Sequence, residues 1–257
     1  MAAISRPSIL VTNDDGIDSE GIAALAQALG RVGQVRVVAP RQEMSASSHS
    51  ISLSRPLRYE QVKTDWYAVH GTPADAVIMA LNHIILEMPD MVFSGINKGS
   101  NLGANAYYSG TVGAAVEGAL HGIPAIAISI CARQNFQFEP AADFAARLAG
   151  MVLEGGLPAG VTLNVNVPDG WSNGARLARQ GTRIARNVLV ETTDPKDRKY
   201  YWMSEQMDEQ KITPDSDYAA VRDGHIAITP LTLGGTEPSS LHSLSRWVQS
   251  FNALSVR

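Results

Sequence analysis

The strongest constraint on this chain is a rhythm. Through its first two-thirds, short apolar runs alternate with stretches of helical periodicity. The runs are Ile9-Leu10-Val11-Thr12, Val35-Arg36-Val37-Val38, Trp66-Tyr67-Ala68-Val69, Met91-Val92-Phe93, Ala125-Ile126-Ala127-Ile128 and Leu163-Asn164-Val165. Between them lie Ser19 to Leu29, Thr72 to Leu86, Thr111 to His121 and Pro140 to Leu153, which read as helices. Several runs are continuously apolar, as strands covered on both faces must be. Strands alternating with helices predict an α/β fold, with right-handed crossovers building a mostly parallel sheet flanked by helices. Thr72-Pro73-Ala74-Asp75 has the makings of a helix start: a capping Thr, Pro at the first helical position and an early acid. In such sheets ligands collect beyond the C-terminal strand ends, so the loops found there carry the functional argument.

Composition narrows the class. With 257 residues the chain can bury a full core as one domain without staples, and its single Cys excludes a disulfide scaffold or a Cys-rich zinc module. The formal net charge of −4 leaves no basic footprint for a nucleic-acid polymer. The apolar run from Gly118 to Ala132 is interrupted by His121, Gly122 and Pro124 and falls short of the ~20 residues a bilayer requires. The first seven residues, Met1 to Pro7, lack the apolar stretch of a signal peptide. A soluble, cytoplasmic protein with no membrane partner is expected. Charge is unevenly spread: only Asp90, Lys98 and Glu117 lie between Met88 and Ala132, whereas eighteen charged residues lie between Arg176 and Asp223, around Tyr200-Tyr201-Trp202. The first stretch reads as core with a loop-rich face, the second as an exposed excursion.

Four loops stand out. The first strand runs into Asn13-Asp14-Asp15-Gly16, where adjacent carboxylates repel each other unless a cation or shared proton intervenes. Metal ligation and helix capping both account for that pair. After the second strand, Ser45, Ser47, Ser48 and Ser50 offer hydroxyls to a phosphate or a hard cation, or simply form a polar loop. Ser94 to Asn105, after the fourth strand, spaces Gly95, Gly99 and Gly103 four apart among Asn and Ser, so backbone N–H groups could turn inward around an anion. The spacing is neither a dinucleotide fingerprint nor a Walker loop. Ser109-Gly110-Thr111 then opens a helix of small residues with free N–H groups and two hydroxyls, suited to phosphate or to capping. Converging on one sheet edge, these loops offer only oxygen ligands, which select Mg²⁺, Mn²⁺ or Ca²⁺ over zinc. A hard cation beside an anion cradle is equipment for phosphoryl chemistry.

These stretches resemble the SurE family of survival-protein nucleotidases. The resemblance is carried by Val11-Thr12-Asn13-Asp14-Asp15-Gly16-Ile17, Val38-Ala39-Pro40, Gly71-Thr72-Pro73-Ala74-Asp75, Ser94-Gly95-Ile96-Asn97, Asn101-Leu102-Gly103 and Tyr108-Ser109-Gly110-Thr111-Val112. Glu117-Gly118, Leu163-Asn164-Val165-Asn166-Val167-Pro168 and Ile228-Thr229-Pro230-Leu231 extend it over nearly the whole chain. It implies a Rossmann-like core over about residues 1–180 of one domain. It also implies a C-terminal β-hairpin arm over about 183–213 that exchanges between subunits of a dimer or tetramer, and a terminal helix near Pro238 to Phe251. It implies hydrolysis of nucleoside 5′- and 3′-monophosphates with one divalent ion per subunit, Mg²⁺ or Mn²⁺, on Asp14, Asp15, Ser45 and Asn97. Phosphate would meet Asn97, Gly99, Asn101, Ser109, Gly110 and Thr111, with Asp14, Asp15, Asn101 and Ser109 as the catalytic group.

The chain departs from the family at two places. Met44-Ser45-Ala46 replaces a pattern ending in Gly, so if that position needs a positive φ the added Cβ strains or shifts the loop. Asp215-Ser216-Asp217 replaces Gly-Thr-Asp but keeps the hydroxyl.

In the resulting scheme a water attacks phosphorus, oriented or deprotonated by Asp14 or Asp15. Among alternative bases, His70 ends a strand and could face the cleft, and His49 lies in the Ser-rich loop. His83 and His121 sit on helices and read as packing residues, and His225 and His242 have no evident role. Cys131 reads as a buried small hydrophobe. Two competing functions use the same loops: a phosphatase passing through an aspartyl-phosphate on Asp15, and a nucleotide sensor without turnover.

Overall fold

The computed structural model describes residues 6–132, 134–170, 173–182, 185–207, 212–233, 235 and 245. The chain alternates as expected: β1 (Ser8–Thr12), α1 (Glu20–Leu29), β2 (Gln34–Pro40), β3 (Tyr59–Lys63), β4 (Trp66–Val69), α2 (Pro73–Met79), β5 (Met91–Lys98), α3 (Gly110–Leu120), β6 (Ala125–Cys131), α4 (Glu139–Gly155) and β7 (Val161–Pro168). Then come β8 (Ala175–Leu177), the hairpin strands β9 (Ala185–Thr193) and β10 (Lys199–Met207), α5 (Asp217–Arg222) and β11 (Ile226–Thr232).

The main sheet runs β3-β4-β2-β1-β5-β6-β7-β11-β8. Its centre from β4 to β7 is parallel, whereas β3 and β11 pair antiparallel with β4 and β7. Thus the mostly parallel α/β sheet expected from the sequence is present. The short edge strand β3 carries exposed, charged residues with no apolar alternation, which is why the sequence pattern passed over it.

Both faces are covered. Ile9, Val11, Phe93, Ile126, Ile128 and Val165 pack under α1 and α4, while Leu10, Val38, Val92, Ala125 and Ala127 pack under α2 and α3. On α1, Ser19 caps the first turn and Ile22, Leu25 and Leu29 are fully buried, each contributing roughly 1.5–3 kcal/mol. Thr72 and Asp75 form the reciprocal capping box that opens α2. The helix expected to reach Leu86 is shorter: α2 ends at Met79, the chain widens into one π-helical turn (Ala80–Ile84), and Ile85 is extended. His83 leaves that turn to stack edge-on against Tyr59 of β3.

Ser94 to Lys98 was expected in the loop after a strand ending at Phe93. Those residues instead continue β5, with a register shift against β6 between Ser94 and Asn97. The bulge inserts one residue and bends the strand where it meets the site. The excursion after residue 183 contains an antiparallel hairpin, β9 with β10. Its tip is closed by Asp194, whose carboxyl accepts the N–H groups of Arg198 and Lys196 and is held below the usual range by them. Of the terminal helix expected near Pro238 to Phe251, only Ser245 is among the described residues. Among those residues, no helix is long and apolar enough to cross a membrane.

Candidate active site

From β1 the chain proceeds outward to β2 and β4, then returns to place β5 on the other side of β1. Here the strand order reverses, and the loops leaving β1 and β5 part to open a crevice. Asn13 shapes the first loop: its amide donates to Gly16 O and Ser19 Oγ, and its Oδ1 accepts the Gly16 N–H. Since Ser19 caps α1, neither Asp14 nor Asp15 has that duty. The choice between cap and ligand that the sequence left open therefore resolves against capping.

Asp14 is 5% exposed and meets the N-terminus of α3. Thr111 Oγ1 donates to its Oδ1 at 2.5 Å. Burial pushes the Asp14 carboxyl up to about 6; the Thr111 hydrogen bonds oppose this and the Asp15 charge adds to it. Asp15 is also raised, chiefly by burial, with Glu43 adding and Lys98 opposing through its charge and its backbone N–H, 3.2 Å from Asp15 Oδ2. Two neighbouring carboxylates that burial makes reluctant to ionise fit a bound cation, which would reverse the penalty. Among the described residues no cluster of three His, Cys, Asp or Glu could hold a metal ion; the cavity lining offers the Asp14 carboxylate with hydroxyl and amide oxygens from Ser45 and Asn97. That is a hard-cation set.

The Ser-rich loop lies across α3. Met44 N–H donates to Asp14 O at 2.8 Å, Ser48 N–H to Tyr108 O at 2.9 Å, and His49 Nε2 lies 2.6 Å from Glu117 Oε2. Small helix residues permit this approach: a Cβ at Gly113 would fall 2.5 Å from Ser48 O, and one at Gly110 2.5 Å from Ser47 Oγ and 2.8 Å from Asp14 Cβ. The condition set by the departure at Ala46 is met, for Ala46 has φ 56, a left-handed conformation that costs a residue with a Cβ about 1–2 kcal/mol. Ser45 Oγ donates to Glu43 Oε1 at 2.6 Å.

Asn101 is the most firmly held residue of the site. Its N–H donates to Asn166 Oδ1 (2.8 Å), its C=O accepts from the Asn164 amide (2.7 Å), and its Nδ2 donates to Ser129 Oγ (2.9 Å). Sequence reasoning missed these supports, although the alternation Leu163-Asn164-Val165-Asn166 in a central strand signalled a polar inward face. The expected anion nest takes another form: Gly99 N–H donates to Ile130 O and Gly103 N–H to Asp217, so neither amide points at a ligand.

One cavity of about 450 Å³ gathers Asp14, Ser45, Asn97, Asn101 and Ser109, together with Lys98, Tyr108 and Asn105. The hairpin adds Asn187, Met203 and Ser204, which sequence reasoning did not single out. Asp15, Gly99, Gly110 and Thr111 are not in its lining. Thr111 is fully buried and serves Asp14, and Ser109 accepts the Val112 N–H as cap of α3. A second cavity of about 630 Å³ shares Ser109 but is lined by Val112, Val116, Leu120 and Leu231 and holds no carboxylate. His70 lines a separate small cavity with Arg41 and Arg55, away from the carboxylates. Both His49 and His121 contact buried Glu117. Burial pushes the Cys131 thiol up to about 12, in keeping with an inert side chain. Ser216 caps α5, so the substitution of Ser for Thr there preserves its function.

The chain as a whole resembles known proteins. The family described as Survival protein SurE matches residues 9–187. A protein of Myxococcus xanthus named 5′-nucleotidase SurE is 48% identical over 248 residues, 95% of each chain. One of Anaeromyxobacter dehalogenans, with the same name, is 49% identical over 93% of this chain and 95% of its own. The crystal structure of the SurE protein from Aquifex aeolicus superposes with a TM-score of 0.86 at 38% identity, covering 94% of this chain and 99% of that one.

Proposed function

The chain belongs to the SurE family, and from that premise we propose that it is a divalent-metal-dependent nucleotidase that hydrolyses nucleoside 5′- and 3′-monophosphates to nucleoside and phosphate. The carrying observation is the convergence of Asp14, Ser45, Asn97, Asn101 and Ser109 on one cavity where the strand order reverses. Asp14, Asp15, Ser45 and Asn97 would hold one Mg²⁺ or Mn²⁺. Bound there, the ion supplies neutralisation of phosphoryl oxygen charge and acidifies a water.

This chain's residues do the rest. The Ser109 hydroxyl and an N–H of the Asn101 amide hold the non-bridging oxygens, and the fixing of Asn101 by Asn164, Asn166 and Ser129 lets it act without reorganising. Asp14, pinned by Thr111 and lining the cavity, orients the attacking water and takes its proton. The new bond joins water oxygen to phosphorus, the ester P–O bond breaks, and the departing alkoxide takes a proton from solvent, to which the carboxylate returns the one it took. An aspartyl-phosphate route through Asp15 is less well supported, since Asp15 does not line the cavity.

The hairpin supports self-association as a dimer or tetramer. Val190, Tyr200 and Trp202 share one face, and Trp202 is 68% exposed, an apolar surface suited to a second copy. We place the enzyme in the cytoplasm, where Cys131 needs no disulfide partner.

Phosphate release from nucleoside monophosphates, measured after EDTA treatment and again with Mg²⁺ or Mn²⁺, tests the activity. No release under any metal would leave the sensor reading; release that persists in EDTA would overturn metal dependence.

A further inference from the structure

The hairpin wall adds apolar surface to the candidate cavity. From the core loops, Asp14, Ser45, Asn97, Asn101 and Ser109 bring polar groups and Tyr108 brings one aromatic ring, and the cavity measures about 450 Å³. That volume lies within the ~300–1,000 Å³ of sites for whole organic ligands and exceeds what a phosphoryl group fills. Facing those loops are Asn187 of β9 and Met203 of β10. In the hairpin register Met203 pairs with Leu189, two residues beyond Asn187, so Met203, Leu189 and Asn187 share one face, opposite the face of Trp202 and Val190. Met203 is 70% exposed, so its thioether is open to a ligand in the cavity it lines.

We propose that Met203 and Asn187 form the base-recognition wall of the site, the thioether packing against the ring face and the amide hydrogen-bonding to the ring edge. Sulfur against an aromatic face is a favourable, adaptable contact. An Asn side chain carries both donors and an acceptor, so one residue can meet the edge of a purine or a pyrimidine. The wall therefore recognises a nucleobase as a class and does not select one base. The proposal rests on the nucleotidase reading and adds the residues that would distinguish a nucleotide from any other phosphate ester.

Ribose 5-phosphate separates the two, because it keeps the sugar and phosphate of adenosine 5′-monophosphate and lacks the base. For Met203→Ala, the ratio of kcat/KM on adenosine 5′-monophosphate to that on ribose 5-phosphate is expected to fall about five- to tenfold, through KM. Met203→Leu, which restores apolar bulk, should recover most of the ratio, and Asn187→Ala should lower it as well. Light scattering and circular dichroism on each variant register any loss of assembly or fold, which would depress both substrates together. A ratio unchanged by Met203→Ala and Asn187→Ala, or an equal loss on both substrates, overturns the proposal. If the wild-type protein releases no phosphate, the nucleotidase reading falls, and the same ratio taken from dissociation constants by calorimetry still decides the role of the wall.

Discussion

Replacing Asp14 by Asn should stabilise the metal-free protein while silencing it. Asp14 is 5% exposed, and its carboxyl moves from 3.8 to about 6 because burial disfavours the ionised form. Such a shift corresponds to about 3 kcal/mol. The sign follows from linkage: the folded chain binds the proton more tightly than the unfolded chain, so this stabilisation is complete below pH 3.8 and is lost as pH rises through about 6. At pH 7.5 the metal-free wild type carries the full penalty, and Asp14→Asn carries none. For a chain of this size the gain corresponds to roughly 6–12 °C in Tm as an upper limit, since the neutral amide gives back part of the charge-assisted bond to Thr111. Thermal unfolding in EDTA at pH 7.5 and pH 4 measures it. The variant should unfold at a higher temperature at pH 7.5, the gap should close at pH 4, and added Mn²⁺ should raise only the wild type. A Tm for Asp14→Asn at or below that of wild type at pH 7.5 would refute the account of Asp14 as a strained, uncompensated carboxylate.

Further predictions follow from neighbouring contacts. Thr111→Val removes the hydroxyl from Asp14 and should lower kcat by about tenfold to a hundredfold, measured by phosphate release, with a stability loss of about 1–3 kcal/mol in urea unfolding. Ala46→Gly relieves the φ of 56 and should stabilise the protein by about 0.5–1 kcal/mol once the flexibility of Gly is discounted, again read by urea unfolding. Gly113→Ala drives a Cβ to 2.5 Å from Ser48 O and should cost about 1–3 kcal/mol while weakening Mn²⁺ binding in calorimetry, because the loop it displaces carries Ser45. With its thiol pushed up to about 12, Cys131 should resist iodoacetamide at pH 8 in mass spectrometry of the native protein.

Much of this architecture is written in local pattern. The central parallel strands announce themselves through apolar runs such as Ile9-Leu10-Val11 and Ala125-Ile126-Ala127-Ile128, and the starts of α1 and α2 through Ser19 and the Thr72–Asp75 box. Asp14, Ser45, Asn97, Asn101 and Ser109 were all expected at the site, and the cavity gathers them. What local pattern could not convey is which atom serves which. Thr111 reads as a phosphate ligand because it opens a helix, but its hydroxyl is taken by a residue 97 positions earlier. Gly99 reads as part of an anion nest, but its N–H belongs to the sheet through Ile130. Met203 and Asn187 were invisible because their meeting with the core loops depends on where a long hairpin comes to rest.

The bond between Thr111 and Asp14 also sets an order of events during synthesis. Asp14 emerges early, next to Asp15, and the helix end that receives it follows 97 residues later. Until then the two carboxylates remain hydrated, with no low-dielectric pocket to burden them and no cradle to hold a cation. Docking of α3 against β5 and β6 buries Asp14 and brings Asn101 and Ser109 to it in the same closure. The proposed metal binding thus belongs to the completed sheet, and a nascent chain that stops short of α3 carries the Asn-Asp-Asp-Gly motif without the cavity around it.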